Sequence, residues 1–241
     1  MAVNNFDYQI VHYLNQFCRR SELFDKAMVV VVNNTLLKGG LMMLVFWYEW
    51  FLVPKDKFTK NQQTIRLQII SALSGCCVSM FTVRVLTRIL PFRARPILNP
   101  DNHLLAAFGL NTNLVDNTNS FPSDHASLFF GLAMGLFFLS WRLGLLSFLY
   151  VTVVVVFPRI YLGWHYPSDI AGGAVMGIFF VSLANMAFFK RTVSERILSF
   201  ADVHPQLFYP FFFLLTYQIA TLFEGVRTLA SFVFHPYTAV V

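Results

Sequence analysis

Long apolar runs separated by short polar breaks dominate this chain. A stretch of about 20 apolar residues is long enough to cross the hydrocarbon core of a bilayer. Such stretches predict six membrane helices, at roughly 35–53, 65–87, 124–140, 143–160, 168–189 and 206–232. The first reads TLLKGGLMMLVFWYEWFLV, and its Trp and Tyr near one end fit an interfacial belt. Lys38 and the pair Asn33-Asn34 leave its start open. Ahead of it, Phe6, Ile10, Tyr13, Leu14 and Phe17 fall at helical spacing. That pattern predicts an amphipathic helix in an arm over 1–26 that lies on the membrane surface. The expected fold is an all-α integral membrane protein, one domain over 1–241.

Composition agrees. The chain is 56% hydrophobic and 12% charged, against about 25% charged in soluble domains, and carries 28 Phe. The net charge of +6 is not gathered into one soluble stripe, so nucleic acid is not an expected partner. Cys18, Cys76 and Cys77 form neither a disulfide framework nor a zinc spacing. Residues 1–26 hold Asp7, Glu22 and Asp25 and lack the short apolar core of a cleavable leader.

Two links stand apart. The link over 88–123 is long and polar and holds RILPFRARP and DNTNSFPSDH; a shorter one holds PRIYLGWHYPSD. With six spans both fall on one face. The opposite face carries Lys55, Lys57, Lys60, Arg142, Lys190, Arg191 and Arg196, whereas the first keeps Arg19, Arg20, Lys26 and an arginine cluster. The positive-inside rule then places the two links outside the cytoplasm.

Their chemistry falls into three groups. Arg88, Arg93 and Arg95 precede Pro96; arginines bind planar oxyanions bidentately, though a juxtamembrane cluster also touches lipid headgroups. Pro122 suits a first helical turn, which would aim Ser123 and free N–H groups at an anion, with His125 close by. A capped helix with an interfacial His is the plainer reading. Arg159, His165 and Asp169 form the third group. Pro167 marks a helix start, so Asp169 could reach back to one ring nitrogen of His165 and leave the other free to attack. Together these residues are the inventory that phosphoryl transfer asks for: cationic and N–H donors for phosphate oxygens, a nucleophile and a proton donor. The residues alone do not decide which His attacks.

The three groups resemble the motifs of the type 2 phosphatidic acid phosphatase (PAP2) superfamily: Lys-x6-Arg-Pro, Pro-Ser-Gly-His and Ser-Arg-x5-His-x3-Asp. The match runs over about 84–175, and the six-helix bundle extends it. The resemblance implies that His165 is the nucleophile that forms a phosphohistidine, that Asp169 orients it, and that His125 protonates the leaving group. It implies that Arg88, Arg95, Ser123 and Arg159 hold phosphate, with no metal or cofactor. Three positions depart from the motifs: Arg88 for Lys, Pro158 for Ser and Asp124 for Gly. A carboxylate at 124 repels phosphate unless it faces an Arg or a helix N-terminus. Some bacterial undecaprenyl-pyrophosphate phosphatases of this family also carry Asp there, which tilts the expected substrate toward a polyprenyl diphosphate in the inner membrane. Phosphatidylglycerophosphate or phosphatidic acid hydrolysis and phosphotransfer to another lipid are the neighbouring expectations. An anionic-lipid transporter and a hydrolase with a metal on His125, His165 and Asp169 are the distant ones.

Overall fold

The computed structural model describes residues 4–53, 61–115 and 117–234. Among the described residues ten helices of nine or more residues carry the fold: α1 Asn5–Asn15, α2 Glu22–Asn33, α3 Leu36–Phe51, α4 Gln62–Ile89, α5 Asp124–Leu139, α6 Trp141–Tyr161, α7 Pro167–Ala184, α8 Glu195–Val203, α9 Pro205–Ala220 and α10 Glu224–Phe234. Among the described residues there is no strand. The six expected rods correspond in the chain to α3, α4, α5, α6, α7 and α9. Among the described residues α4, α6 and α7 are each long and apolar enough to cross a membrane, and α2 with α3, bent by 64°, makes a fourth if that pair is one span. Helices α5 and α9 have 16 residues each, about 24 Å at 1.5 Å per residue, short of a full hydrocarbon core.

Two expectations change. The arm is not one helix: Arg19, with φ of 64°, turns the chain between α1 and α2, and α2 runs on into Val29–Val32. The last rod is broken at Leu222 and Phe223, which have φ of 52° and 57°. Lys55, Lys57 and Lys60 lie outside the described residues.

The bundle is fastened by close backbone approach. Apolar side chains gain little by leaving lipid, so helices in a bilayer associate where small residues let their backbones touch. A Cβ on Gly177 of α7 would stand 1.9 Å from the Ser127 carbonyl of α5, and one on Gly173 would stand 2.3 Å from that of Ser123. Ser79 of α4 and Ser127 of α5 share a buried hydroxyl contact of 2.5 Å. Outward side chains remain apolar, Phe81 of α4 being 71% exposed, as a lipid-facing surface requires. The Gly173 and Gly177 crossing sets the starts of α5 and α7 side by side, and the arms of the site grow from there.

The arm lies over the long link. His12 Nε2 meets the Asn102 carbonyl at 2.9 Å, Asn15 exchanges two hydrogen bonds with Leu105, and Arg19 Nε donates to the Ala106 carbonyl. Phe6, Tyr13 and Phe17 stay exposed, as the apolar stripe predicted, while Asp7, Val11 and Cys18 turn inward.

Candidate active site

Two adjoining cavities open where the helix ends meet. The first, of about 350 Å³, is lined by Arg84 and Arg88 of α4, Arg95, Thr118, Asn119, Asp124 and His165, among others. The second, of about 360 Å³, has Lys38, Arg95, Asp124, His125, Arg159 and His165 in its wall, together with Thr221, Leu222, Glu224 and Arg227 from the broken rod. Both histidines and three of the arginines singled out from the sequence thus line one joined space.

His165 sits in the link before α7 and is buried. Its Nδ1 is 3.0 Å from the Ser120 carbonyl, so Nδ1–H donates there and Nε2 keeps its lone pair. Arg95 Nη1 stands 3.3 Å from Nε2. Burial pushes this imidazole below its ordinary range; the Asp169 carboxylate pulls the other way and Arg95 adds to the fall. The expected direct hydrogen bond from His165 to Asp169 is not made: Oδ2 lies 3.7 Å from Nδ1. Asp169 instead accepts from Ser120 Oγ at 2.5 Å, from the Tyr166 N–H at 2.8 Å and from Arg93 Nη1 at 2.5 Å. Pro167 does open α7, which places Asp169 in its first turn.

His125 lies at the start of α5. Its Nδ1 is 2.7 Å from Asp124 Oδ1, and the other oxygen of Asp124 accepts from Arg84 at 2.5 Å. The carboxylate at position 124 therefore faces an Arg and an imidazole. Each histidine has a carboxylate beside it, one of them braced from behind by Arg84.

Arg159, near the end of α6, is 0% exposed. Its Nη1 donates to the Val155 carbonyl at 2.6 Å, but among the described residues Nε and Nη2 have no hydrogen-bond partner, nor has Trp164 Nε1 in the same cavity wall. Arg88 is exposed at the end of α4 and lines the first cavity. Ser123 departs from expectation. It is the N-cap of α5, buried, with Oγ accepting from Ala126 N–H at 3.3 Å, and it lines neither cavity. Pro122 precedes that cap rather than standing in the first turn.

Four residues without a role in the sequence, Ser120, Arg84, Lys38 and Asp7, join the site, and Arg93 of the basic cluster binds carboxylates there. Ser120 holds both His165 and Asp169. Arg84 holds Asp124. Lys38 lines the second cavity. Arg93 and Asp7 form a buried brace: Asp7 is 0% exposed and takes Arg93 Nη2 at 2.6 Å, the Ser168 N–H at 2.9 Å and Ser168 Oγ at 2.5 Å. Arg93 thus bridges Asp7 of α1 and Asp169 of α7, its guanidinium stacked 4.2 Å from the Tyr166 ring centroid. Only the Asp7–Val11–Cys18 spacing, a second helical stripe beside the apolar one, hinted that α1 has an inward face. Among the described residues no group of three or more His, Cys, Asp or Glu is placed to hold a metal.

Comparison with known proteins fits this geometry. The sequence model of the PAP2 superfamily matches residues 63–192, more than half of the chain. Bacitracin transport permease protein BcrC of Bacillus licheniformis is 25% identical over 182 residues, covering 74% of this chain and 78% of that protein. Undecaprenyl-diphosphatase BcrC of Bacillus subtilis (strain 168) is 21% identical over 197 residues, covering 82% and 89%. The crystal structure of Aquifex aeolicus LpxE superposes with a TM-score of 0.51 at 21% identity, over 76% of this chain and 98% of that one, a likeness of fold.

Proposed function

The chain belongs to the PAP2 superfamily, and on that premise we propose that it hydrolyses the terminal phosphate of a membrane lipid diphosphate, undecaprenyl diphosphate being the first candidate. His165 Nε2 attacks the terminal phosphorus. The N–P bond forms as the bond from phosphorus to the bridging oxygen breaks, and His125 gives its proton to that departing oxygen. Water then attacks the phosphohistidine while His125 takes its proton, and the N–P bond breaks to release inorganic phosphate and restore both imidazoles. Arg95 and Arg159 hold the transferred phosphoryl oxygens, Arg88 flanks the entrance, and Asp169 and Asp124 set the two imidazoles. Ser123 acts through its cap, by fixing the start of α5 on which His125 rides.

One observation carries this reading. Arg159 is a fully buried guanidinium with two nitrogens that have no partner among the described residues, in a wall shared with both imidazoles. Buried N–H donors are nearly always paired, and an unpaired buried cation is strongly unfavourable, so the site is built around an anion that completes it. The relative named as an undecaprenyl-diphosphatase supports the lipid. The relative named as a transport permease raises a second reading, in which the cations bind an anionic lipid without cleaving it.

The deciding experiment is phosphate release by the purified chain in detergent from matched lipid phosphates and diphosphates, beside His165→Ala. The reading expects turnover that His165→Ala abolishes and an acid-labile phosphoenzyme in the wild type. Turnover retained in His165→Ala overturns the nucleophile, and no release from any lipid supports the binding-only reading. We place the protein in the inner membrane with the site on the extracytoplasmic side, since Arg142 and the Lys190, Arg191 and Arg196 group lie at the other helix ends.

A further inference from the structure

We propose that Lys38, with Arg227 beside it, forms a subsite for a second phosphate, so that the pocket selects a diphosphate over a monophosphate on the same lipid. This rests on the phosphatase reading above and assigns the substrate class of that site. Lys38 stands at the start of α3, outside all three motif groups, and is only 5% exposed. Its Nζ donates to the Val32 carbonyl at 2.7 Å, which uses one of three donors. No carboxylate among the described residues lies within ion-pair distance of it. A buried ammonium in that position calls for an anion as Arg159 does, and one transferred phosphoryl group on Arg95 and Arg159 leaves it unmatched.

The position is built. Gly39 packs so closely on α9 that a Cβ there would meet the Ala220 carbonyl at 2.1 Å, and the Tyr150 hydroxyl of α6 donates to the Leu37 carbonyl. These contacts fix Lys38 in the cavity wall with His125, Leu222 and Arg227. From there Leu222 and Arg227 continue into an apolar groove of about 490 Å³ lined by Met80, Phe81, Phe223 and Val226. The joined space thus offers His165 with Arg95 and Arg159, His125 with Lys38 and Arg227, and an apolar groove that meets it at Arg84, Arg88, Leu222 and Arg227. Those three parts match a terminal phosphate, a proximal phosphate and a tail. In a diphosphate the departing group is itself a phosphate, and Lys38 would neutralise it as the bridging bond breaks.

The test uses the full chain in detergent with farnesyl diphosphate and farnesyl monophosphate, which share a tail. Lys38→Met is expected to lower kcat/KM for the diphosphate by at least about tenfold more than for the monophosphate, the size of one lost charge-assisted contact. Equal losses on both substrates, or no loss, overturn the subsite. Should Lys38→Met fail to fold, Arg227→Gln, at an exposed position of α10, must lower the same ratio or the proposal falls. A binding arm separates this from the phosphatase reading. In the His165→Ala background, inorganic pyrophosphate is expected to raise the melting temperature more than inorganic phosphate does, and Lys38→Met is expected to remove the difference. A pyrophosphate advantage that survives Lys38→Met refutes the subsite whatever the catalytic outcome.

Discussion

Substituting Asp7 tests whether the arm is part of the catalytic apparatus or only a surface float. Asp7→Asn keeps the shape and removes the charge. The Asn oxygen can still accept from the Ser168 N–H, but its amide nitrogen then turns donors toward Arg93 Nη2, where Oδ2 now accepts at 2.6 Å, and toward Ser168 Oγ at 2.5 Å. Breaking one side of a buried ion pair costs about 3–5 kcal/mol. Arg93 retains Asp169, so the lower end, about 3 kcal/mol, is the appropriate figure. Most of it should appear as loosened docking of α1, whose other hydrogen bonds to the rest of the chain, from His12 and Asn15, are at partly buried or exposed positions. The consequence for chemistry passes through Asp169. With Asp7 gone, the Arg93 charge falls on Asp169 alone, drawing that carboxylate away from the 3.7 Å approach to His165 Nδ1. Thermal unfolding in detergent and steady-state phosphate release would measure both effects. The expected result is a lower melting temperature together with a fall in kcat of about tenfold and a smaller change in KM. Unchanged kcat with a lowered melting temperature would make the brace purely structural, and wild-type values of both would refute it.

Three other outcomes follow from the geometry. The kcat/KM profile should show an acidic limb below the ordinary imidazole value of about 6.5, since a buried His165 resists protonation as pH falls; Arg95→Gln should move that limb up and Asp169→Asn should move it down, and a limb above 6.5 in the wild type would contradict the assignment. Gly177→Leu should abolish the folded bundle, read as loss of the monodisperse peak on size exclusion, because even a Cβ there meets the Ser127 carbonyl at 1.9 Å. Asp124→Asn should reduce kcat about tenfold with little effect on KM in phosphate release, since it unties His125 and Arg84 together.

Much of the site was legible because its residues sit where punctuation is strong. Pro167 opens α7 as the sequence implies, and His165 and Asp169 follow from that start. His125 and Arg159 similarly fall at the ends of clear apolar runs. Ser123 misled for a local reason: a Ser one residue before a helix satisfies the helix's own N–H groups first, and the hydroxyl that serves Asp169 belongs to Ser120. The helix over 22–33 was hidden because Glu22, Asp25 and Lys26 make its first half polar. Asp25 is nonetheless buried, accepting from the Tyr161 hydroxyl at 2.5 Å and from the Arg19 and Phe108 N–H groups. The break at Leu222 and Phe223 has neither Gly nor Pro to announce it. The role of Asp7 could not be read beyond the faint stripe with Val11 and Cys18, since its partner Arg93 is 86 residues away.

The division between frame and site has a physical logic. Helices α5 and α7 are locked by backbone contact through Gly173 and Gly177, a union that involves no charge. Beside that union stand two buried cations, Arg159 and Lys38, without a carboxylate in ion-pair reach among the described residues. In a low-dielectric setting such cations repel one another and would spread apart if the helices allowed it. Because the helices are held elsewhere, the two groups cannot move apart, and an entering anion relieves their repulsion. Anion binding should therefore stabilise the whole bundle by linkage, and more strongly for a more highly charged ligand. Under the proposed mechanism, the same electrostatics would favour the transition state over the ground state, since negative charge would grow on the oxygen departing beside His125. Holding cations in place by packing rather than by counter-ions thus gives binding and catalysis a common origin.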